Sequence, residues 1–470
     1  MRDERAVRDG RPVRDGRPVR DGRPVRSAVA AVLVGLAVAA VAWWRLGPVT
    51  RRTVWAEDGG IFLRDRVALG PWDLLHPYAG YLHVLPRLVV DLAWALPVPA
   101  YALVVSTTAC VLVGGIAALV FVLSRQVLRP WPLRLLLAAV PAVLPLAPVE
   151  ISGNVANLHW YCMLLAPWLF AHRSRSWWAA GTLAAVTALT VLTEPQTVLF
   201  LPLLALAWLP VRRAASGRPD LRALPVTVTA LVAGAAQVVT SVSSVRTSEP
   251  GSPSWQDLVA GYLLQPFAGA WNARVGTAVE AVLTHGWSVL VVPALVVVGM
   301  LAAAVLVGTW RARFLVVALA VGSLVVWVAA IIANGTSERP WAHLSAGMVG
   351  DPPLRYAAGA GLLLVSAVAL AAGVLVQWGS GVTTDPAQRD RPSSVLLRVV
   401  VAAVGWCAVA AVVASSVVSL APATTRRSAG PEWAPQIPAA ERECRADPRL
   451  QVVRVEIAPW GAEVPCDRLR

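Results

Sequence analysis

The sequence predicts an all-α polytopic membrane protein with about eleven transmembrane helices, followed by a small extracytoplasmic C-terminal α/β segment. Three observations predict this class. Of the 470 residues, 57% are hydrophobic and only 14% are charged, whereas soluble proteins carry about 25% charged residues. Apolar runs of roughly 17–25 residues, the length that crosses a bilayer, recur along most of the chain. The net charge of +14 is carried by arginine alone, and the arginines cluster between alternate apolar runs, which indicates membrane topology rather than nucleic-acid binding.

Composition divides the chain into three parts. Residues 1–26 repeat Val-Arg-Asp-Gly-Arg-Pro three times from Val7 to Pro24, and such residues cannot bury an apolar face. We therefore predict a disordered, basic cytoplasmic tail, with binding to anionic lipid as an alternative role. Residues 27–420 form the multi-spanning domain, and residues 421–470 form the C-terminal segment.

The first predicted span, Ser27–Leu46, lacks a small-residue cleavage site with a polar exit, so it is interpreted as an uncleaved anchor. The fourth and sixth spans are short and are also compatible with re-entrant segments. The spans after the first are predicted at Pro99–Leu123, Leu133–Val149, Leu158–Ala171, Trp177–Leu192, Gln196–Leu209, Leu224–Val242, Trp287–Gly308, Phe314–Ala333, Tyr356–Trp378 and Leu396–Leu420.

The arginines predict the orientation in the plasma membrane. With the N-terminus in the cytoplasm, every cytoplasmic connection is basic, as the positive-inside rule requires, and an odd number of spans places the C-terminus outside. The short outer turns at 150–157 and 193–195 contain no arginine. The arginines of the cytoplasmic connections are Arg125, Arg129, Arg134, Arg173, Arg175, Arg212, Arg213, Arg218, Arg222, Arg311, Arg313, Arg389, Arg391 and Arg398.

Two of the five cysteines, Cys444 and Cys466, lie in the polar C-terminal segment. On the outer face they are expected to form a disulfide, since that compartment is oxidising. Zinc binding is less favoured, because no histidine lies near them. Between them, apolar residues alternate with charged ones over residues 453–457, which predicts a short, half-buried strand.

The most distinctive polar stretch follows the first span. Glu57 and Asp58 are adjacent and precede Gly59 and Gly60, so the backbone can turn tightly there. Two acids at a membrane face are costly unless they bind something or stay hydrated. A helix N-terminal pair stabilised by the helix dipole is the structural alternative.

An acidic pair directly after the first transmembrane helix, within a many-helix chain, resembles the GT-C membrane glycosyltransferases. The resemblance concerns the plan of the membrane part and not the N-terminal tail. It implies a catalytic role for Asp58 or Glu57, either as the base that accepts the proton of the attacking hydroxyl or as the holder of a divalent metal ion. It also implies a polyprenyl-phosphate sugar donor.

Other candidate substrate-binding residues lie in the outer connections. Each has a structural alternative: an interfacial helix with an Arg87–Asp91 pair, capping by Asn157, an idle hydrated Glu194, and a tyrosine anchor beside a snorkelling Arg355. Trp255, Gln265, Trp271, Asn272 and Arg274 could contact the acceptor but cannot be ranked. The predicted set is His76, His83, Arg87, Asn154, Asn157, His159, Trp160, Glu194, Arg339, His343, Arg355 and Tyr356.

These features predict transfer of a sugar from a polyprenyl-phosphate donor to a glycan, lipid or protein acceptor of the cell envelope. The predicted partners are membrane lipids, the donor and the acceptor, with no nucleic acid. The long polar connections all lie outside, and no phosphate-binding glycine loop or dinucleotide motif occurs in the sequence. Alternatives are a transporter or flippase of lipid-linked sugars, a polysaccharide polymerase or ligase, and a non-catalytic membrane protein.

Overall fold

The protein is mostly helical in the computed structural model, which describes residues 23–209, 220–246, 248–381 and 394–470. The predicted tail lies outside these residues as far as residue 22, and the first helix begins at Arg23. The α-helices in chain order are α1 Arg23–Arg45, α2 Gly47–Arg52, α3 Arg64–Leu69, α4 Val84–Trp94, α5 Tyr101–Leu123, α6 Trp131–Val143, α7 Ala147–Glu150, α8 Leu158–Ala171, α9 Trp177–Val191, α10 Leu204–Trp208, α11 Leu224–Ser243, α12 Trp255–Tyr262, α13 Gly276–His285, α14 Ser288–Val307, α15 Trp310–Ala333, α16 Arg355–Gly379, α17 Val395–Val418 and α18 Ile437–Ala446.

Tighter or wider helical turns link several of these helices. Two are π-helical, Asp58–Leu63 and Leu263–Phe267. The 3₁₀ segments are Gly70–Leu75, Val98–Ala100, Ser124–Gln126, Pro195–Leu203, Leu221–Ala223, Gly335–Ser337, Ala346–Gly350, Ala434–Gln436 and Cys466–Arg468.

The apolar helices agree with a multi-pass membrane protein, but eleven full spans are not established. In the described part of the chain, eight helices are long and apolar enough to cross a membrane: Ser27–Arg45, Val98–Gln126, Trp131–Glu150, Leu221–Ser243, Ser288–Val307, Trp310–Ala333, Arg355–Gly379 and Val395–Val418. Three other predicted spans form shorter apolar helices, Leu158–Ala171, Trp177–Val191 and Pro195–Trp208. The 14 residues of α8 reach only about 21 Å, less than the hydrocarbon core of a bilayer. The last of the three begins as a 3₁₀ helix, Pro195–Leu203, in which Pro202 has no backbone N–H to donate.

Helix α16 forms the centre of the bundle. Its residues from Tyr356 to Gln377 are all buried, and it packs against α6, α8, α14, α15 and α17. By contrast, α17 buries only Gly405 and Val412, so most of its apolar surface is exposed. An exposed apolar helix of this length is compatible with a position in a membrane.

Small residues allow the first helix to pack closely against α5. A Cβ atom added to Gly114 would lie 2.3 Å from the carbonyl oxygen of Gly35, so the two backbones touch at this point. Such approach at small residues is how membrane helices gain van der Waals contact without a hydrophobic driving force.

Contacts define two ends of the bundle. We call the end that contains Arg45, Glu57 and Arg355 the site end. There the guanidinium of Arg45 donates to the carbonyl of Ala142 (2.6 Å), and the backbone N–H of Ala423 donates to the carbonyl of Arg45 (2.9 Å). The C-terminal segment therefore lies at the site end, at the opposite end of the bundle from the start of α1.

We call the opposite end the basic end. There Arg311 donates to the carbonyls of Ala171 (3.3 Å) and Leu206 (2.5 Å), and the side-chain oxygen of Gln377 accepts from the N–H of Arg129 (2.8 Å). Asp220 is the acid among the described residues of this end, and it is paired with Arg173 and Arg222. The described arginines of the predicted cytoplasmic connections gather here: Arg125, Arg129, Arg134, Arg173, Arg175, Arg222, Arg311, Arg313 and Arg398.

The C-terminal segment is a small α/β unit. Strands β1 (Val452–Glu456) and β2 (Gly461–Pro465) pair antiparallel, with Val453 opposite Val464 and Val455 opposite Ala462. These four side chains are buried against α18, which confirms the predicted half-buried strand. The predicted disulfide is present between Cys444 of α18 and Cys466, directly after β2.

Candidate functional site

A cavity of about 410 Å³ lies at the site end, between segments that are far apart in the sequence. Many of the predicted site residues line it: Glu57, His83, Asn157, His159, Trp160, Glu194, Arg355 and Tyr356. Lining residues absent from that prediction are Phe62, Tyr78, Ala79, Gly80, Tyr81, Ala156, Pro195, Gln196, Ser241, Arg246, Ser248, Ala329, Ala330, Ala333 and Asn334. The fold therefore gathers carboxylates, guanidinium groups, imidazoles and aromatic rings around one space.

The two acids that follow α2 have different surroundings. Glu57 lines the cavity, and its Oε1 atom accepts a hydrogen bond from Arg355 (3.1 Å). Its Oε2 atom is buried and has no hydrogen-bond partner among the described residues. A buried, unpartnered carboxylate oxygen at a cavity wall is a ready acceptor for a ligand hydroxyl.

Asp58 does not line the cavity. Its carboxylate is fully buried and accepts hydrogen bonds from the backbone N–H groups of Val155 (3.1 Å) and Ala156 (2.9 Å). Burial raises the pKa of Asp58 to about 7, although the two N–H groups and nearby Arg427 act in the opposite direction. Asp58 thus fixes the 155–156 wall of the cavity, and its oxygens are already occupied by protein donors.

The C-terminal segment holds the acidic pair in place. The N–H of Ala56 donates to the carbonyl of Ala458 (2.8 Å), and a Cβ atom on Gly59 would lie 2.8 Å from Ile457. Gly60 similarly approaches Trp460, at 2.9 Å. The two glycines were expected to permit a tight turn. In the structure they lie in a π-helical turn and allow the C-terminal segment to approach closely.

Arg427 connects the C-terminal segment to two loops, the one that precedes the acidic pair and the one at residues 152–153. Its buried guanidinium donates to the carbonyls of Thr53 (3.1 Å), Ser152 (2.8 Å) and Gly153 (3.0 Å). Burial lowers the pKa of Arg427 to about 10, which still leaves the group charged at neutral pH. The site is therefore built partly by residues that follow the membrane domain.

Arg355, at the start of α16, is the cation at the centre of an acidic cluster. Besides Glu57, it lies 3.9 Å from Glu150, which also pairs with Arg426 (2.7 Å). The Arg355 side chain keeps 38% of its surface exposed, so it can contact a ligand without leaving Glu57.

His159 and Glu194 form a second polar pair on the cavity wall. Nδ1 of His159 is hydrogen-bonded to Oε2 of Glu194, and Oε1 of Glu194 accepts from the N–H of Gln196 (2.7 Å). Asn157 holds the neighbouring turn, since its side-chain oxygen accepts from the indole N–H of Trp160 (3.1 Å).

Aromatic rings surround the two histidines of the cavity. Tyr81 stacks on His83 with ring centroids 4.0 Å apart, and the ring of His159 lies 4.2 Å from that of Trp160. Burial, together with His159 and Arg87, lowers the pKa of His83 well below its usual value, so His83 is neutral. Burial and Glu194 raise the pKa of the Tyr81 hydroxyl well above its usual value.

Several predicted residues lie outside the cavity. Arg87 is buried in ion pairs with Asp65 (2.9 Å) and Asp73 (3.4 Å), while Asp91, its expected partner, pairs with Arg66. Asn154 is buried and donates to the carbonyl of Glu150 (2.6 Å). The remaining three are exposed on the surface: His76, Arg339 and His343.

Sequence reasoning missed Arg246, an exposed residue that lines the cavity and donates from Nε to the hydroxyl of Ser248 (2.9 Å). It could have been found, because Arg246 follows the predicted span Leu224–Val242, and an arginine on the predicted outer side runs against the positive-inside rule.

The donor atoms bear on the expected metal ion. No group of three histidine, cysteine, aspartate or glutamate side chains suited to a metal occurs in the described ranges. Asp58 would have to give up two backbone hydrogen bonds to act as a ligand, which leaves Glu57 as the member of the pair with a free oxygen.

No protein-family model matches this chain, and neither the curated proteins nor the solved structures that were searched contain a match to it.

Proposed function

We propose that this protein is a membrane glycosyltransferase of the GT-C type, which moves a sugar from a polyprenyl-phosphate donor to a hydroxyl group of a cell-envelope acceptor. The observation that carries this proposal is the single cavity in which Glu57, Arg355, the His159–Glu194 pair and several aromatic rings meet. The acceptor is a glycan, a lipid or a protein.

The walls of the cavity suit a sugar. Amide and carboxylate oxygens of Asn157 and Glu57 can accept hydrogen bonds from hydroxyl groups, and the rings of Tyr81, Trp160 and Tyr356 can cover the apolar face of a pyranose. Glu57, rather than Asp58, is the acid with a free oxygen at the cavity. We assign Glu57 to binding a substrate hydroxyl and to holding Arg355.

Two guanidinium groups suit the phosphate of the donor. Arg246 and Arg355 both line the cavity, and arginine forks match phosphate oxygens in geometry and charge. Among the described residues, Arg246 has no carboxylate within ion-pair distance, so a phosphate would supply its counter-charge.

The position of the cavity favours a lipid-carried donor. Ser241 of α11 and Ala329, Ala330 and Ala333 of α15 form part of its wall. On the same helix ends, Val239, Val242 and Ile332 are exposed apolar side chains. A polar cavity beside such a surface suits a donor whose head group is polar and whose tail stays in the membrane.

The enzyme assay compares membranes from cells that express the protein with membranes that lack it. Polyprenyl-phosphate hexose and pentose donors, radiolabelled in the sugar, are offered to an envelope extract that supplies the acceptor. We expect protein-dependent label in the acceptor. Movement of the intact donor across vesicle membranes without labelled product would indicate a flippase instead, and the absence of both would contradict the proposal.

The orientation is a separate prediction. Since the described arginines of the short connections gather at the basic end, we propose that this end faces the cytoplasm and that the site end lies outside. An alkaline phosphatase fusion at residue 430 should be active, and a green fluorescent protein fusion there should be dark. The reverse pattern would place the cavity in the cytoplasm and would contradict the assigned orientation.

A further inference from the structure

We propose that His159, oriented by Glu194, accepts the proton of the attacking hydroxyl, in place of either member of the acidic pair. This assignment rests on the transfer reaction proposed above. It gives the His159–Glu194 pair a catalytic role, whereas the sequence suggested only substrate binding for both residues.

The geometry determines which nitrogen of His159 is free. A carboxylate can only accept hydrogen bonds, so Nδ1 of His159 carries the proton that is shared with Glu194. Glu194 cannot turn away easily, because it is 1% exposed and its other oxygen accepts from the N–H of Gln196. Nε2 of His159 is therefore the acceptor atom of the ring, and none of the described residues hydrogen-bonds it.

The three candidate bases differ in what protonation does to their partners. A proton on Glu57 would weaken its ion pair with Arg355, and both Asp58 oxygens are occupied by backbone N–H groups away from the cavity. A proton on His159 would instead make the ring a cation beside the buried Glu194 carboxylate, so that the existing hydrogen bond becomes an ion pair as well. Proton transfer therefore strengthens the local contacts only at His159, as in a histidine–carboxylate pair of a hydrolase.

The step conserves atoms and charge. The hydroxyl O–H bond breaks, and its proton moves to Nε2 of His159. The oxygen electron pair forms the new bond to the anomeric carbon, while the bond from that carbon to the phosphate oxygen breaks. Its electron pair leaves with the polyprenyl phosphate, near the guanidinium groups of Arg246 and Arg355.

Other ionisable groups face this pair. The ring of His83 lies 6.5 Å from that of His159, and the ring of Tyr81 lies 6.2 Å from it. Glu57, Arg246 and Arg355 line the same cavity. Because all of these influence the pH dependence of turnover, single substitutions at the pair are more decisive than a pH profile.

The kinetic test compares His159→Gln and Glu194→Gln with two matched controls, His285→Gln and Glu443→Gln, which alter exposed residues away from the cavity. For His159→Gln we expect kcat to fall by about 10²–10⁴-fold with KM changed by less than about threefold, because a general base contributes that much to rate. Glu194→Gln, which replaces the positioning carboxylate by an amide, should lower kcat by up to about 10⁴-fold, because an amide can hold the imidazole in the wrong tautomer. The controls should retain wild-type transfer.

A second measurement needs no substrate. Diethyl pyrocarbonate acylates the free nitrogen of a neutral imidazole, and mass spectrometry reports each histidine separately. We expect His159 to react, and Glu194→Gln to slow that reaction at least severalfold while the exposed His76 and His285 react as in the wild type. An unchanged rate at His159 would contradict the orienting role of Glu194.

The two proposals fail in different ways. Wild-type transfer that persists in His159→Gln would overturn the assignment of the base and leave the glycosyltransferase proposal intact. If the wild type transfers no sugar, the proposed function and the catalytic role of the pair both fall, whereas the acylation rates still decide whether Glu194 orients His159.

Discussion

Replacing Glu57 by glutamine is expected to reduce sugar transfer by about 10–150-fold while leaving the protein folded and inserted. The substitution removes the carboxylate partner of Arg355 at 3.1 Å and replaces the free Oε2 acceptor by an amide. A hydrogen bond to a charged group contributes about 1.5–3 kcal/mol, which gives this range of rates. The measurement is kcat/KM for transfer from the radiolabelled polyprenyl-phosphate sugar in membranes.

Substitution of Arg355 tests whether Glu57 acts through that residue. If Glu57 acts by holding Arg355, the effects of Glu57→Gln and Arg355→Gln should not add in the double variant, because both remove the same ion pair. Glu443→Gln serves as the control for loss of one negative charge. Near-normal transfer in Glu57→Gln would remove the acidic pair from the active site, since Asp58 does not reach the cavity.

Replacing Asp58 by alanine is expected to destabilise the protein by about 2–6 kcal/mol. The substitution leaves the buried N–H groups of Val155 and Ala156 without an acceptor, at about 1–3 kcal/mol each. Asparagine keeps one acceptor oxygen and should cost about half as much. The apparent unfolding temperature can be followed in detergent with a thiol-reactive dye that reaches the buried Cys110 and Cys162 only on unfolding.

The pH dependence of stability identifies Asp58 more specifically. Its pKa is about 7 in the folded protein and close to 3.8 when the chain is unfolded, so the folded state binds the additional proton between these values. Its contribution to stability is therefore complete below about pH 4 and is lost as the pH rises through 7, a change on the order of 4 kcal/mol.

Between pH 5 and 8 the wild type should lose stability as the pH rises, and Asp58→Asn should show a smaller loss. Two other carboxyls contribute in the same direction, because burial of Asp73 and partial burial of Asp91 also raise their pKa values. The difference between variant and wild type is therefore the informative quantity. An identical slope in both would show that Asp58 keeps its ordinary pKa in the folded protein.

The sequence alone was sufficient to predict the helical membrane-protein class and the pairing of Cys444 with Cys466. Apolar runs reveal membrane helices because the length of a span is set by the bilayer. The cysteine pair was predictable because Cys444 and Cys466 are the two cysteines of the polar C-terminal segment. The number of full spans could not be predicted, because Leu158–Ala171, Trp177–Val191 and Pro195–Trp208 form helices shorter than those that cross a membrane.

Which acid faces the cavity could only be decided by the tertiary structure. Glu57 and Asp58 are chemically similar neighbours, and their directions depend on contacts with Arg355, Val155 and Arg427, none of which is close in the sequence. The local pattern could not decide between the two acids, because it contains no information about the wall that occupies the Asp58 carboxylate.

The same limit applies to the other polar pairs. A spacing of four predicted an Arg87–Asp91 pair, but Arg87 is buried with Asp65 and Asp73, because the loop before α4 folds back over it. His159 and Glu194 are separated by 35 positions and meet only where α8 packs beside the turn after α9. The helical membrane-protein class and the polar character of the candidate residues could therefore be read from the sequence, whereas the pairing and direction of side chains required long-range packing, because only packing determines which partners satisfy a buried charge.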